Sequence, residues 1–348
     1  MPAEWEPHEA VWLGWPNNAS DWPGKISAIH FVYAEIVRRI VESETARIIV
    51  NDAAHETKAI TILKRSGVSL ERVEFFRVPS NRGWTRDTGP IFVRTARVSG
   101  RPEFEPGFAV VGFKFNGWAK YPDHELDTKI AKTLATKLKK PYFKVEHNKR
   151  HFVLEGGAID VNGRGTLLTT EECLLDPKVQ VRNPGMTRAE YEQVLAESLG
   201  ATNVLWLGKG IAGDDTHGHV DDLCRFVDRK TVVLCRETDP KDANYELLEE
   251  NRERLEGMKL ENGSRISVAF LPMPEPVIYR GQRLPASYAN FLITNSSVLV
   301  PTFNDPNDRM ALGILAELFP KRKVVGIHSR DLVWGLGTIH CLSQQQPK

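Results

Sequence analysis

The order of segments repeats along this chain with a period of roughly 70 residues, and that repetition limits the fold more than any single motif does. Residues 89–95 and 108–115 are apolar and β-branched and read as strands; 124–139 reads as a helix, and a short strand follows near 142–146. The order returns as 156–161, a hairpin turn at Asn162–Gly163, 166–170, a helix from Thr187 where TRAE supplies a capping box, and 203–207. A third round runs through 223–228, 231–235, a helix at 241–257 and a strand at 265–271. A fourth runs through 288–294, 296–300, a helix near 308–319 and a strand at 323–327. A strand around 10–14, an amphipathic helix at 25–42 and a strand at 47–50 remain, one strand short of a unit. The segment around 338–343 can supply it. One ββαβ unit cannot bury its own apolar face, so five of them imply a radial or stacked architecture. The expectation is an α/β fold, a five-bladed α/β propeller with pseudo-fivefold symmetry and a last blade that joins both termini. Residues 1–348 then form a single catalytic domain. An α/β sandwich is the plain alternative.

Charge gives no reason to look for a polyanionic partner. Lys plus Arg number 46 against 45 Asp plus Glu, a formal net charge of +1, so neither nucleic acid nor a membrane surface is expected. The start, MPAEWEPHEA, lacks the basic and apolar runs of a signal peptide, and no stretch approaches the roughly 18 apolar residues of a membrane span. The four cysteines, Cys173, Cys224, Cys235 and Cys341, show no CxxC spacing. A cytoplasmic, reduced protein is expected, with a homodimer compatible but not required.

Four polar clusters stand out: GWTRDTGP with Asp87, LEGGAID with Glu155, GDDTHGHVDD with His219, and GLGTIHC with Cys341. Their key residues are 68, 64 and 122 positions apart, close to one, one and two repeats. A ring therefore brings all four to one end of its axis, on loops held by a rigid scaffold. A cysteine thiolate needs a nearby base or positive charge, which His219 can supply. Cys173, Cys224 and Cys235 flank or sit within apolar strands and read as small core residues. His340 faces away from Cys341 if the segment is extended. His217-x-His219-x-Asp221 also looks like a metal-ligand run, which leaves a zinc hydrolase open, and period-2 spacing would put all three on one solvated face. Asp87 before Thr-Gly-Pro can equally cap a turn, and Arg86 can pair with either acid.

Carboxylates with a histidine and a cysteine, and no basic residue assigned to the pocket, suit a cationic substrate. A guanidinium is planar, stays protonated and presents its N–H donors to carboxylates two at a time. Asp87 and Asp221 would hold two of its edges, and Cys341 would attack the central carbon. His219 would protonate the departing ammonia and then activate water, with Glu155 orienting it. Trp84 and Trp118 would flank an alkyl stem, and Asp215 is a further candidate for substrate binding.

MPAEWEPHEAVWLGWP, WTRDTGP, LEGGAID, the GDDTxGHVD pattern, LPASYANFLITN, PTFNDPND and GTIHCLSQQQP together resemble the agmatine deiminase family, grouped with bacterial peptidyl-arginine deiminases. The likeness runs along nearly the whole chain. It implies the five-bladed propeller and hydrolysis of agmatine without cofactor or metal. It also implies that Cys341 is the nucleophile, with His219, Asp221, Glu155 and Asp87 in matching roles. Agmatine-specific members often carry acids just before the motif tryptophan, whereas this chain has SNRGW with Arg82; the chain is also shorter than many members. Another guanidine substrate (arginine, peptidyl arginine or a guanidino acid) and an amidinotransferase are the nearest alternatives.

Overall fold

The computed structural model describes residues 1–95 and 107–348. A parallel strand pair needs a crossover, and here a helix supplies it six times, twice in the first sheet and once in each of the others. In the second sheet, Ile91–Thr95 runs antiparallel to Gly107–Gly112, the helix Ile130–Lys137 crosses over, and Tyr142–Lys144 pairs parallel. The third sheet repeats this with Asp160–Val161, Thr166–Thr170, the helix Arg188–Leu199 and Asn203–Leu207. The fourth uses Cys224–Phe226, Thr231–Arg236, the helix Tyr245–Glu256 and Ser267–Pro272. The fifth uses Leu292–Ile293, Ser297–Thr302, the helix Asn307–Leu318 and Lys323–His328. The middle strands are buried on both faces and read as near-continuous apolar runs, as in Val232, Val233, Leu234 and Cys235, all at 0% exposure.

The first sheet draws on both ends of the chain. Ser343–Pro347 pairs antiparallel with His8–Gly14, which pairs parallel with Thr45–Val50 across the helix Ile26–Ile40. The strand supplied by the C-terminal segment thus lies a few residues beyond 338–343, which leaves 338–342 free to form a turn. A helix at Ala53–Arg65 and a fourth strand at Val73–Arg77 complete this sheet. Neither is apparent from sequence, because the helix buries only Ala59 and Leu63 and has little apolar periodicity.

Most expected elements are present with shifted bounds. Thr187 caps its helix through the full capping box with Glu190. The expected helix at 124–139 begins later, because the Asp127 carboxylate turns back to accept from the Asn81 amide N–H at 2.7 Å. The expected strand at 156–161 is strand only at Asp160–Val161, and Gly156–Ala158 forms a single turn. The Asn162–Gly163 hairpin is longer than two residues: Asn162 Oδ1 accepts from the N–H groups of Arg164 and Thr166.

Neighbouring sheets share apolar cores. The first and second share Trp12, Ile49, Phe92 and Val110; the second and third share Val111, Phe152 and Leu167. The third, fourth and fifth share Leu168, Val233 and Val300, and the fifth packs back on the first through Leu299, Ile327 and Val11. No two of these sheets are joined by strand pairing among the described residues, so no closed sheet forms. No helix is long and apolar enough to cross a membrane among the described residues.

Candidate active site

Each sheet's antiparallel outer strand is preceded by a turn, and the polar clusters sit in those turns. Asp87 lies in the helical turn Thr85–Thr88, Glu155 just before the turn at 156–158, and Asp221 in the turn Val220–Asp222. Cys341 lies in the turn before Ser343. They meet around Gly157. A Cβ on that glycine would stand 2.5 Å from His219 Nδ1, 3.0 Å from Asp87 Oδ1 and 3.1 Å from Asp221 Oδ2. Only a residue without a side chain lets the backbone pass between these three groups.

Asp87 is no local turn cap. Its carboxylate accepts from the Gly157 N–H at 2.9 Å and the Trp118 indole N–H at 2.8 Å, both distant in sequence. Trp118 therefore holds an acid as well as lining the cavity. Trp84 donates its indole N–H to Asp21 at 3.1 Å and packs on Trp22. Asp215 lies in the cavity wall, bonded by Tyr121 Oη at 2.7 Å and Lys120 Nζ at 2.5 Å.

His219 is fully buried, and neither ring nitrogen has a hydrogen-bond partner. Its Nδ1 stands 4.0 Å from Asp87 and its Nε2 3.8 Å from Glu155, which is ion-pair range without direct bonding. Burial opposes charge on this imidazole, but Asp87 and Glu155 outweigh it and hold its pKa well above the usual range. Burial likewise opposes charge on Glu155, yet Arg182, at 3.2 and 3.3 Å from its two oxygens, brings its pKa to about 2.

The Cys341 thiol is pushed well above the ordinary range, first by burial and then by Asp221, Asp222 and Asp87. Asn290 Nδ2 donates to Cys341 Sγ at 3.0 Å and to Asp222 Oδ1 at 2.9 Å. Asp221 Oδ2 lies 3.7 Å from the sulfur and accepts from His340 Nδ1 at 2.6 Å, while Asp221 Oδ1 is buried without a partner. Burial raises both aspartates, but the His340 bond brings Asp221 below its usual value, and burial with the nearby Asp221 drives Asp222 well above. Of the two neighbours, Asp221 carries the charge.

Above this floor opens a cavity of about 240 Å³ walled by Trp84, Trp118, Tyr121, Trp334 and Leu336, with Cys341 and Asp87 at its base. Its mouth holds Arg82, whose guanidinium is paired with Asp21 and Asp123 (3.0 Å) and lies over the Tyr121 ring. The basic residue noted in SNRGW is thus present at the mouth, but its charge is already matched. Burial pushes Asp21 up to about 6, against the pull of Arg82.

Several expectations change. His217 does not join His219 and Asp221: it adopts φ +66° and bonds Asp176 at 2.9 Å, so no extended run puts the three on one face. Arg86 pairs with neither Asp87 nor Glu155; it bonds Gln345 at 2.7 Å. His340 is not a partner of Cys341, but it holds Asp221 rather than facing away from the site. Cys173, Cys224 and Cys235 are all core residues as expected, and Cys173 also lies within 4.8 Å of the ligand atoms of Glu155 and His219. Glu155–Cys173–His219 and Asp221–Asp222–Cys341 are the donor sets that could hold a metal among the described residues. Each is already served by a neighbouring donor, Arg182 on Glu155 in the first and Asn290 on Asp222 and Cys341 in the second, which opposes a bound cation.

A model of the Porphyromonas-type peptidyl-arginine deiminase family matches residues 1–347. The chain belongs to that family. It is 33% identical over 374 residues to an agmatine deiminase of Ectopseudomonas mendocina, covering 100% of this chain and 95% of the relative. The mixed α/β fold matches an Enterococcus faecalis agmatine deiminase with TM-score 0.88 at 30% identity, covering 100% and 95%. It matches a C. jejuni agmatine deiminase, a cysteine-to-serine form with substrate bound, with TM-score 0.85 at 30% identity, covering 100% and 96%.

Sequence reasoning missed Asn290, Arg182, His340 and Glu4. For Asn290 a signal existed: it lies 71 residues after His219 and two before its sheet's first strand, where the repeat calls for a fifth polar residue.

Proposed function

We propose that this chain is an agmatine deiminase, hydrolysing agmatine to N-carbamoylputrescine and ammonia. The observation that carries this reading is the meeting of His219, Asp87 and Asp221 around Gly157, next to a thiol, Cys341, which opens with Asp87 into one narrow cavity. Asp87 and the unpartnered oxygen of Asp221 offer carboxylate acceptors on either side of Gly157, and a guanidinium presents the planar N–H donors that match them.

In this reading Asp87 and the unpartnered Oδ1 of Asp221 accept the guanidinium N–H groups. The bound cation lowers the Cys341 pKa, the thiol gives up its proton to solvent, and the thiolate adds to the guanidinium carbon. The C–N bond to one terminal nitrogen then breaks, and His219 gives that nitrogen the proton with which it leaves as ammonia. The remaining thiouronium is attacked by water, which passes a proton to His219; the C–S bond breaks and Cys341 is restored. Glu155, fixed by Arg182, keeps His219 charged. Trp84 and Trp118 line the path of the alkyl stem.

The mouth supports an amine tail over a carboxylate tail. Asp21, Asp123 and Asp215 outnumber Arg82 and Lys120 by one, and both terminal nitrogens of Arg82 already serve acids. We further propose that the five sheets form a five-bladed α/β propeller acting as one domain over 1–348 in the cytoplasm. The cyclic sharing of cores and the gathering of all five leading turns at one site support it. The test of function is ammonia release from agmatine and from arginine, with and without EDTA. EDTA-resistant turnover of agmatine with kcat/KM well above that for arginine is expected, and the reverse preference would overturn the substrate assignment.

A further inference from the structure

The proposed mechanism uses one oxygen of Asp221 but does not explain what fixes that carboxylate in place. His340 does so directly, and it is itself held from behind. His340 Nε2 lies 2.8 Å from Glu4 Oε2 while its Nδ1 lies 2.6 Å from Asp221 Oδ2. Glu4 is in turn anchored by Arg225 Nη2 at 2.6 Å, by the Ile293 N–H at 2.8 Å and by Arg86 at 3.8 Å. All are buried: Glu4 is 3% exposed, His340 2%, and Asp221 and Arg225 0%.

Ionised carboxylates only accept hydrogen bonds, so a ring flanked by two of them must carry hydrogen on both nitrogens.

We propose that Glu4 and His340 are positioning residues for guanidine binding. They form a Glu4–His340–Asp221 relay that fixes one Asp221 oxygen and leaves the other free for the substrate. The N-terminal segment is thereby part of the active site, although no atom of Glu4 touches the cavity. Asp221 is the only carboxylate of the pair with Asp87 that depends on a histidine, so its orientation is set at the far end of the chain, by residue 4. This inference rests on the reading of the site as a guanidine site.

The test is a double-mutant cycle on the Cys341→Ser protein, with binding of agmatine and of arginine read by calorimetry. His340→Gln, which can serve only one of the two acids, is expected to weaken binding about 10- to 100-fold, the range of a lost charge-assisted hydrogen bond. Asp221→Asn is expected to weaken it at least as much. Because His340 acts through Asp221, adding His340→Gln to Asp221→Asn should change binding less than about twofold. Effects that multiply would overturn the relay. Glu4→Gln keeps an acceptor and should retain part of the binding that Glu4→Ala loses. Val233→Ala, in the distant core, should lower Tm without altering affinity, and a matching affinity loss there would mark the effect as general destabilisation and overturn the relay. If neither guanidine binds the Cys341→Ser protein, the substrate reading fails, and a crystal structure of ligand-free His340→Gln decides the relay. A displaced Asp221 carboxylate supports it and an unmoved one overturns it.

Discussion

At Gly157 the site has no room for even one methyl group. A Cβ there would displace His219, Asp87 or Asp221 by several tenths of an ångström or more, and misplacements of that order cost about 100-fold in rate. Gly157→Ala should therefore lose at least that factor in kcat/KM while keeping a folded circular-dichroism spectrum; near-normal activity would show that the three groups do not work together. The Cys341 thiol gives a second residue-scale prediction. Burial and three aspartates raise its pKa, so in the free enzyme the reactive thiolate is scarce at pH 7 and grows as pH rises past 9. Iodoacetamide alkylation of Cys341 should accelerate through that range, and a rate already level at pH 7 would contradict it. Asp87, Glu155, His219 and Cys341 are legible in sequence because each stands in a conspicuous Gly-rich cluster. Arg182, His340 and Glu4 are not, since their roles depend on contacts between units that no local pattern records, and Asn290 is marked only by its place in the repeat. Arg82 is the instructive intermediate: its presence was legible, but its neutralisation by Asp21 and Asp123 was not.

Elements bounded by local chemistry were the most readable. Thr187 and Glu190 announce their helix, and Thr187→Ala should cost about 1 kcal/mol of unfolding free energy, measurable by denaturant titration. Elements set by distant contacts were misplaced, and Asp127 shows why. Burial, opposed by the Asn81 and Arg82 N–H groups, raises its pKa to about 7, and one of its oxygens has no partner. A folded-state pKa above the ordinary 3.8 contributes stability that is full below 3.8 and is lost as pH rises to about 7. Asp127→Asn removes that dependence. Its Tm relative to wild type should climb between pH 4 and 7 and then level off, whereas a constant difference would place the charged form at no disadvantage.

For the whole molecule, repetition carried the reading. Asp87, Glu155, Asp221, Asn290 and Cys341 lie four, five, three, two and two residues before the first strands of their sheets. One arrangement repeated five times thus delivers five polar residues to one place. The extra helix and strand at 53–77 escaped because they add to a sheet that the repeat had already completed. The first sheet also ties activity to the C-terminus. Gln344, Gln345 and Gln346 lie in its terminal strand, and Gln345 and Gln346 bond Arg86, Trp12 and Arg47. Deleting residues 343–348 should unfold that strand's contacts, lower Tm and abolish turnover; a stable, active truncation would show that closure by both termini is dispensable.

The central claim is covalent chemistry at Cys341. Mass spectrometry of the enzyme, acid-quenched during agmatine turnover, tests it most directly. The account predicts an adduct on the peptide carrying Cys341, with the mass of agmatine less ammonia, and neither adduct nor turnover in Cys341→Ser. Steady turnover with an unmodified Cys341, or turnover that survives the serine substitution, would contradict it.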